Sequence, residues 1–385
     1  MSEPGDRQLL RQARRIVLKI GTRVLTKPAG GLDPKVFARL AGEVAEARRD
    51  QREIVIVSSG AIAAGRKLLN LGAARLTLPE KQAVAALGQP GLIAHWGRAF
   101  HRQGLLVAQV LLTHEDVSDR HRYLNSRNTL LALLAKGIIP VINENDTVAV
   151  EEIKVGDNDK LSALVAGLVD ADLLVLFSDI TGLCDHDPGL HAQAQVIPVL
   201  RELSRAVTEY AGPSISPVSV GGMSSKIEAA RTVQAMGIPT LIGSGKTPGI
   251  LPRIFEGKIQ GTLILPSGKK LRGRQYWIAY AQKPRGEVQV DAGARKALVE
   301  GKKSLLPSGV IQVQGRFEPG DAVRVLDPQG VEFARGLVRF SSSDLHRIKG
   351  LKTSAIEAVL GACDYEEVIH KDDLVLTGLG MRQEA

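Results

Sequence analysis

Aromatic residues are scarce, at 4% of 385 residues, with 2 Trp, 5 Tyr and 7 Phe. A protein that works mainly by stacking nucleic-acid bases needs more such platforms. Cysteine is rarer still: Cys184 and Cys363 stand far apart, in no ligand-like spacing. That argues against a disulfide framework or a zinc site and fits a reducing cytoplasm. The 8 histidines show no metal spacing, and no Ser/His or Cys/His pairing suggests a covalent nucleophile. No apolar run approaches the roughly 18 residues a membrane helix needs; Leu161–Phe177, the richest stretch, is broken by Asp170 and Asp172. The opening MSEPGDRQLLRQARR lacks the apolar core of a signal peptide. A soluble cytoplasmic protein without a membrane partner is expected.

Acid is the minority charge. Against 50 Lys+Arg there are 41 Asp+Glu, a formal +9, which permits anionic ligands without selecting one. With 44% hydrophobic residues the chain can bury a full core, and its length calls for two or more domains. Up to Pro266 short apolar runs alternate with amphipathic stretches. Strands are predicted at 15–20, 105–112, 138–142, 173–177 and 240–242, and 54–65 reads as a strand running into a small-residue turn and a helix. Helices are predicted at 34–49, 79–102 (interrupted near Gly88-Gln89-Pro90-Gly91), 123–136, from 161, 200–211 and 224–236. Such alternation means a mostly parallel sheet covered on both faces, a three-layer α/β sandwich. Residues 267–285 are basic and free of acid and read as a linker. Residues 286–385 carry short strands with turn signals, including Asp327-Pro328-Gln329-Gly330, and read as a small β-rich domain with helices at 292–300 and 353–360.

Two acid/amide clusters flank one short excursion, Asn143-Glu144-Asn145-Asp146 and Asp157-Asn158-Asp159-Lys160. The first follows a strand; the second opens a helix, with Asp157, Asn158 or Asp159 as N-cap. Ligands of open α/β sheets bind at such places; taken singly, each of these residues is equally a cap or turn former. Lys19 stands in the apolar strand RIVLKI, where it must reach water or an anion. Ser58-Ser59-Gly60-Ala61 is a small-residue turn that either receives a carboxylate or packs a strand against a helix. Gly221-Gly222-Met223-Ser224-Ser225-Lys226 is a second glycine turn at a helix start, favourable to negative charge. Gly245-Lys246-Thr247 lacks the spacing of a P-loop, and Asp185-His186-Asp187 lacks the terminal acid of a calcium loop. Two lysines, two glycine turns and a carboxylate/amide cluster suit phosphoryl transfer, which needs positioning and cations on the transferring oxygens.

LKIGT, IVIVSSGAIAAG, PVINEND, KVGDNDKLSALVA and GGMSSKIEAA, in this order, resemble the glutamate 5-kinases of the amino-acid kinase fold, and the last hundred residues resemble the PUA domain appended to many members. The resemblance implies ATP-dependent phosphorylation of the L-glutamate side-chain carboxylate, with Mg²⁺ carried by ATP, as the first step of proline synthesis. It places Lys19, Ser178, Asp179 and Val220–Lys226 on ATP, and Ser59, Asp146 and Asn158 on glutamate. Lys19 and Lys226 would neutralise the transferring phosphoryl group, with Asp159 orienting both, and Thr147–Gly156 would cover the substrate. Proline inhibition and homo-oligomerisation are implied too. Arg23, Val220 and Cys184 depart from the pattern, at positions where Ser, Thr and Tyr are expected. A same-fold kinase with another acceptor is the nearest alternative, and an RNA-binding protein acting through 286–385 is a different one. Against the latter, residues 266–385 hold 19 Lys+Arg to 15 Asp+Glu, a mild excess, and only Tyr280 and Tyr365 follow Trp277 as tyrosines.

Overall fold

A computed structural model describes the chain apart from residues 1–2, 73, 150–157, 187–190, 192, 204–221, 268–274, 276, 283, 362–364 and 378–385. The chain folds as two compact units, one of Met1–Val117 with His121–Lys270, the other of Ser118–Arg120 with Leu271–Ala385.

The first unit is built on eight strands: β1 Arg15–Ile20, β2 Glu53–Ser58, β3 Val107–Leu112, β4 Ile139–Glu144, β5 Leu173–Ser178, β6 Val199–Leu200, β7 Thr240–Ser244 and β8 Thr262–Ile264. Their order across the sheet is β3-β4-β2-β1-β5-β7-β8-β6. All neighbours run parallel except β7 and β8. The helices are α1 Pro4–Gln12, α2 Thr22–Leu25, α3 Pro34–Arg49, α4 Ala61–Leu68, α5 Leu78–His101, α6 His114–Ser118, α7 Arg120–Ala135, α8 Asn158–Leu168, α9 Met223–Ala235 and α10 Ile250–Phe255.

Strand periodicity sorts the side chains between the two covered faces. Ile16, Leu18 and Ile20 of β1, with Ile54 and Ile56 of β2, join a core shared with Phe37 and Leu40 of α3, Trp96 and Phe100 of α5, and Leu251 and Ile254 of α10. Val17 and Lys19 take the opposite face, against which α8 packs. The same alternation separates two adjacent serines. Ser58 turns to the core, where its Oγ accepts a hydrogen bond from Trp96 Nε1 at 2.9 Å. Ser59, one residue on, faces α8. The expected layers and mostly parallel sheet are therefore found, with β8 and its partner β6 running against the rest.

Several local expectations change. The helix at 79–102 is continuous, with Pro90 inside it. One glycine on each of α5 and α4 is a packing requirement: a Cβ on Gly88 would lie 1.9 Å from the Ala61 carbonyl oxygen, and one on Gly65 would lie 1.9 Å from that of Val84. Close approach of α4 and α5 holds the helix through a residue that removes one of its hydrogen bonds. Gly88→Ala is accordingly expected to destabilise the fold by about 1–3 kcal/mol, opposite in sign to the usual gain of about 1 kcal/mol for Gly→Ala inside a helix. A thermal or urea melt measures this, and an unchanged or raised midpoint would mean that α4 and α5 separate at little cost. Strand β4 extends through Asn143 and Glu144, so the first cluster begins inside it. Asn158 and Asp159 lie within the first turn of α8 and are not its N-cap; Asp157 lies outside the described residues. Leu200, expected to open a helix, is in β6, and 204–211 lies outside the described residues.

The second unit has five strands, β9 Gly286–Val290, β10 Val310–Gly315, β11 Ala322–Leu326, β12 Glu332–Leu337 and β13 Leu374–Leu376, in the order β10-β9-β11-β12-β13. The β11–β12 hairpin turns as expected at Asp327–Gly330: Asp327 Oδ1 accepts from the Gln329 and Val331 amides, each at 2.9 Å, and Gly330 takes φ 79°. Helices α11 Ala292–Val299, α12 Ser342–Ile348 and α13 Ile356–Leu360 accompany the sheet, of which α12 was not expected. Within the stretch read as a linker, Trp277–Ala281 makes one π-helical turn.

Candidate active site

The centre of the site is Asp159, 1% exposed, in the first turn of α8. Lys19 Nζ approaches Asp159 Oδ1 to 2.5 Å and Lys226 Nζ approaches Oδ2 to 3.1 Å. The Ser225 hydroxyl donates to Oδ2 at 2.7 Å. Three elements meet here: β1 brings Lys19 by alternation, α8 brings Asp159, and α9 brings Ser225 and Lys226 one turn beyond Gly222. Burial alone would push the Asp159 carboxyl up, but the Lys19 and Lys226 ammonium groups and the Ser225 bond outweigh it and hold the group well below the ordinary carboxylate range. Two cations and one anion leave this buried trio at net +1, near the carboxyl end of the interior strand β1, where the N-terminus of α9 also favours negative charge.

One residue earlier on α8, Asn158 starts a chain of amides. Its Nδ2 donates to Ser59 Oγ at 3.0 Å and to Asn143 Oδ1 at 3.0 Å. Asn143 Nδ2 donates in turn to Gln89 Oε1 on α5 at 2.8 Å. Asn158 Oδ1 and Asp146 Oδ1 are both buried and accept no hydrogen bond from the described residues, which is the condition of groups awaiting a donor. Burial, and then the neighbouring Glu144 carboxylate, push the Asp146 carboxyl up to about 7.

On the other side of the trio, at the end of β5, Ser178 Oγ donates to Asp179 Oδ1 at 3.1 Å, and Arg23 Nη1 lies 3.2 Å from Asp179 Oδ2. Arg23, expected as a departure, thus binds a residue expected on the nucleotide. Asp179 is held low: burial opposes this, while its own backbone amide, the Ser178 hydroxyl and Arg23 together prevail.

Of the residues singled out in the sequence, Lys19, Asp159, Ser225 and Lys226 come together, as do Ser59 and Asn158. Ser178 and Asp179 form a separate pair with Arg23. The Ser225 hydroxyl is spent on Asp159 and on the Gly222 carbonyl and so belongs to the carboxylate's setting. Gly222 is the N-cap of α9, Met223 its first residue, and Ser224 is exposed. Val220 and Gly221 lie outside the described residues, as does most of the expected covering loop Thr147–Gly156. Gln89 was not assigned to the site from sequence, and Asn143 stood in the first acid/amide cluster without a role of its own. Among the described residues no three His, Cys, Asp or Glu side chains gather as a metal cage, and no helix is long and apolar enough to cross a membrane.

Comparison with known proteins places the chain in a family. The amino acid kinase family model matches residues 14–244 and the PUA domain model residues 286–360. The chain is 50% identical over 370 residues to a glutamate 5-kinase of Trichlorobacter lovleyi, covering 96% of this chain and 98% of that one. It is 48% identical over 379 residues to that of Moorella thermoacetica, covering 98% and 100%. The chain belongs to the glutamate 5-kinase family. Pelobacter propionicus supplies another member, 49% identical over 96% of this chain. Among solved structures, a UMP kinase from Bacillus anthracis is 16% identical with TM-score 0.48, over 67% of this chain and 98% of that one.

Proposed function

We infer that this chain phosphorylates the side-chain carboxylate of L-glutamate with ATP, giving L-glutamyl 5-phosphate, the first step of proline synthesis. The observation that carries this reading is the adjacency of Asn158 and Asp159 on one helical turn. Asn158 belongs to an amide and hydroxyl cluster with unsatisfied buried acceptors, and Asp159 to the two lysines. An amino-acid acceptor held by the first is placed against a phosphoryl group held by the second.

In this reading Asp146 and the Asn158 Oδ1 receive the α-ammonium of glutamate, and Ser59 lies beside them. The attacking carboxylate is ionised at neutral pH, so no general base is required. Lys19 and Lys226 take the oxygens of the transferring phosphoryl group, and Asp159, paired with both ammonium groups, aims them. Ser178, Asp179 and the segment Val220–Lys226 hold the nucleotide. The donor set of two lysines and a helix N-terminus fits a polyphosphate, and Mg²⁺ bound to ATP supplies the remaining charge neutralisation. Kinase chemistry is assigned to 1–266 and the PUA-like part to 286–385. Self-association, inhibition by proline and RNA binding by the PUA-like part rest on family membership alone.

Trapping the acyl phosphate with hydroxylamine tests the assignment. Hydroxamate should form with L-glutamate and ATP, and equal or greater yield from L-aspartate would remove the substrate assignment. Lys226→Ala should mainly lower kcat, in contrast to a substitution at Asp146, which should mainly raise the glutamate KM.

A further inference from the structure

We propose that Gln89, in the middle of α5, is a positioning residue that sets the polarity of the acceptor site, making it present hydrogen-bond acceptors to the α-ammonium group of the substrate. The proposal rests on the glutamate reading above and adds to it a residue that touches no substrate.

An amide side chain has one accepting and one donating end, nearly identical in shape. A chain of amides can therefore run in either of two directions, and each bond fixes the next. Here it runs from Asn158 to Asn143 to Gln89. Gln89 Oε1 accepts from Asn143 Nδ2 at 2.8 Å, so Asn143 must offer its Oδ1 to Asn158. Asn143 Oδ1 accepts from Asn158 Nδ2 at 3.0 Å, and that nitrogen also donates to Ser59 Oγ at 3.0 Å. Both Asn158 hydrogens are then used, and its Oδ1 is left buried without a donor among the described residues. Reversing Gln89 would reverse Asn143 and Asn158 in turn and leave an N–H where the acceptor now stands. Ser59 cannot choose between these states, since a hydroxyl both donates and accepts. Of the two ends of the chain, Gln89 alone has a definite polarity in this structure, its Oε1 turned to Asn143.

The fold explains why Gln89 can do this. Gly88 lets α5 lie against Ala61, just after the Ser59-Gly60 turn, so the next residue on α5 reaches the end of β4. Alternation along β4 places Asn143 on the same face as Ile139 and Val141, which join the core containing Trp96 of α5.

Gln89→Glu and Gln89→Leu separate polarity from packing. An ionised glutamate is acceptor-only and imposes the same direction; leucine accepts nothing and leaves the chain free to reverse. With the full-length protein, Gln89→Leu is expected to raise the glutamate KM about tenfold, with the ATP KM unchanged. Its preference for glutamate over glutarate, which lacks the amino group, should fall by the same factor. Gln89→Glu should keep both values within about twofold of the wild type. Equal loss in the two variants, or a glutamate-to-glutarate preference untouched by Gln89→Leu, would overturn the proposal; thermal melts establish that each variant is folded, and if Gln89→Leu is not, a loss of preference in Gln89→Glu alone overturns it. Wild-type protein that forms no glutamate-dependent hydroxamate would remove the functional reading and this proposal with it, whereas active wild type with indifferent variants removes the proposal alone.

Discussion

Asp159→Asn is expected to lower kcat by about 10³-fold, near the upper end for loss of one preorganised electrostatic element, while the glutamate KM changes little. The substitution keeps the shape of the side chain and removes its charge. Lys19 and Lys226, 5% and 3% exposed, would then face each other with no anion between them. Removing one partner of a buried ion pair costs about 3–5 kcal/mol, so the variant should also melt at a lower temperature. The two effects can be separated. Asp159→Asn combined with Lys226→Met returns the site to net +1, and should recover much of the stability without recovering the rate. A double variant as active as the wild type would show that the trio serves folding only. In the wild type, the depressed Asp159 carboxyl contributes stability that is full above the ordinary carboxylate range of about 4. That contribution is lost only as pH falls well below it. Acid unfolding of Asp159→Asn should accordingly be less steep than that of the wild type.

The legible part of this site was the part that breaks a local rule. A lysine in RIVLKI contradicts its apolar surroundings and so announced itself, and Asp159 and Lys226 sit at helix starts that glycine and capping residues mark. That both lysines meet on the Asp159 carboxylate came only from the family resemblance and not from the residues themselves, because the meeting depends on β1 lying beside β5 with α8 and α9 against the same face, a matter of sheet order. Pairing of Arg23 with Asp179 joins residues far apart in sequence in the same way. Gly88-Gln89-Pro90-Gly91 misled for a related reason. Local propensity reads it as a break, yet the requirement for Gly88 comes from the Ala61 backbone of another helix, and tertiary packing overrides the preference. Gln89 was hidden inside that misreading. The hairpin at Asp327–Gly330, by contrast, is wholly local: an Asx turn and a glycine at positive φ, and it formed where expected.

Glutamate affinity should rise steeply with pH up to neutrality and then level off. Asp146 carries a carboxyl raised to about 7, first by burial and then by Glu144, and an ammonium group binds only its ionised form well. About one pH unit below that value roughly nine-tenths of the sites hold a proton, so the apparent glutamate KM should be about tenfold above its plateau. One unit above, it should lie within about 10% of it. Glutamate itself contributes no titration of its side chain there, since that carboxylate ionises near about 4.3. Asp146→Asn should lift the KM by about 10–100-fold at the plateau, the loss of a charge-assisted hydrogen bond in a buried site, and flatten the profile below it; a wild-type KM that is constant across this range would remove Asp146 from the ammonium site. The same shift governs the unliganded protein with opposite sign. A carboxyl whose folded value is raised binds its proton more tightly in the folded state, so its contribution favours folding below the unfolded value and is withdrawn as pH climbs from about 4 to about 7. Stability of the free protein should therefore decline over the window in which glutamate binding improves, and saturating glutamate should restore it, because the substrate's ammonium supplies the counter-charge that the fold leaves out.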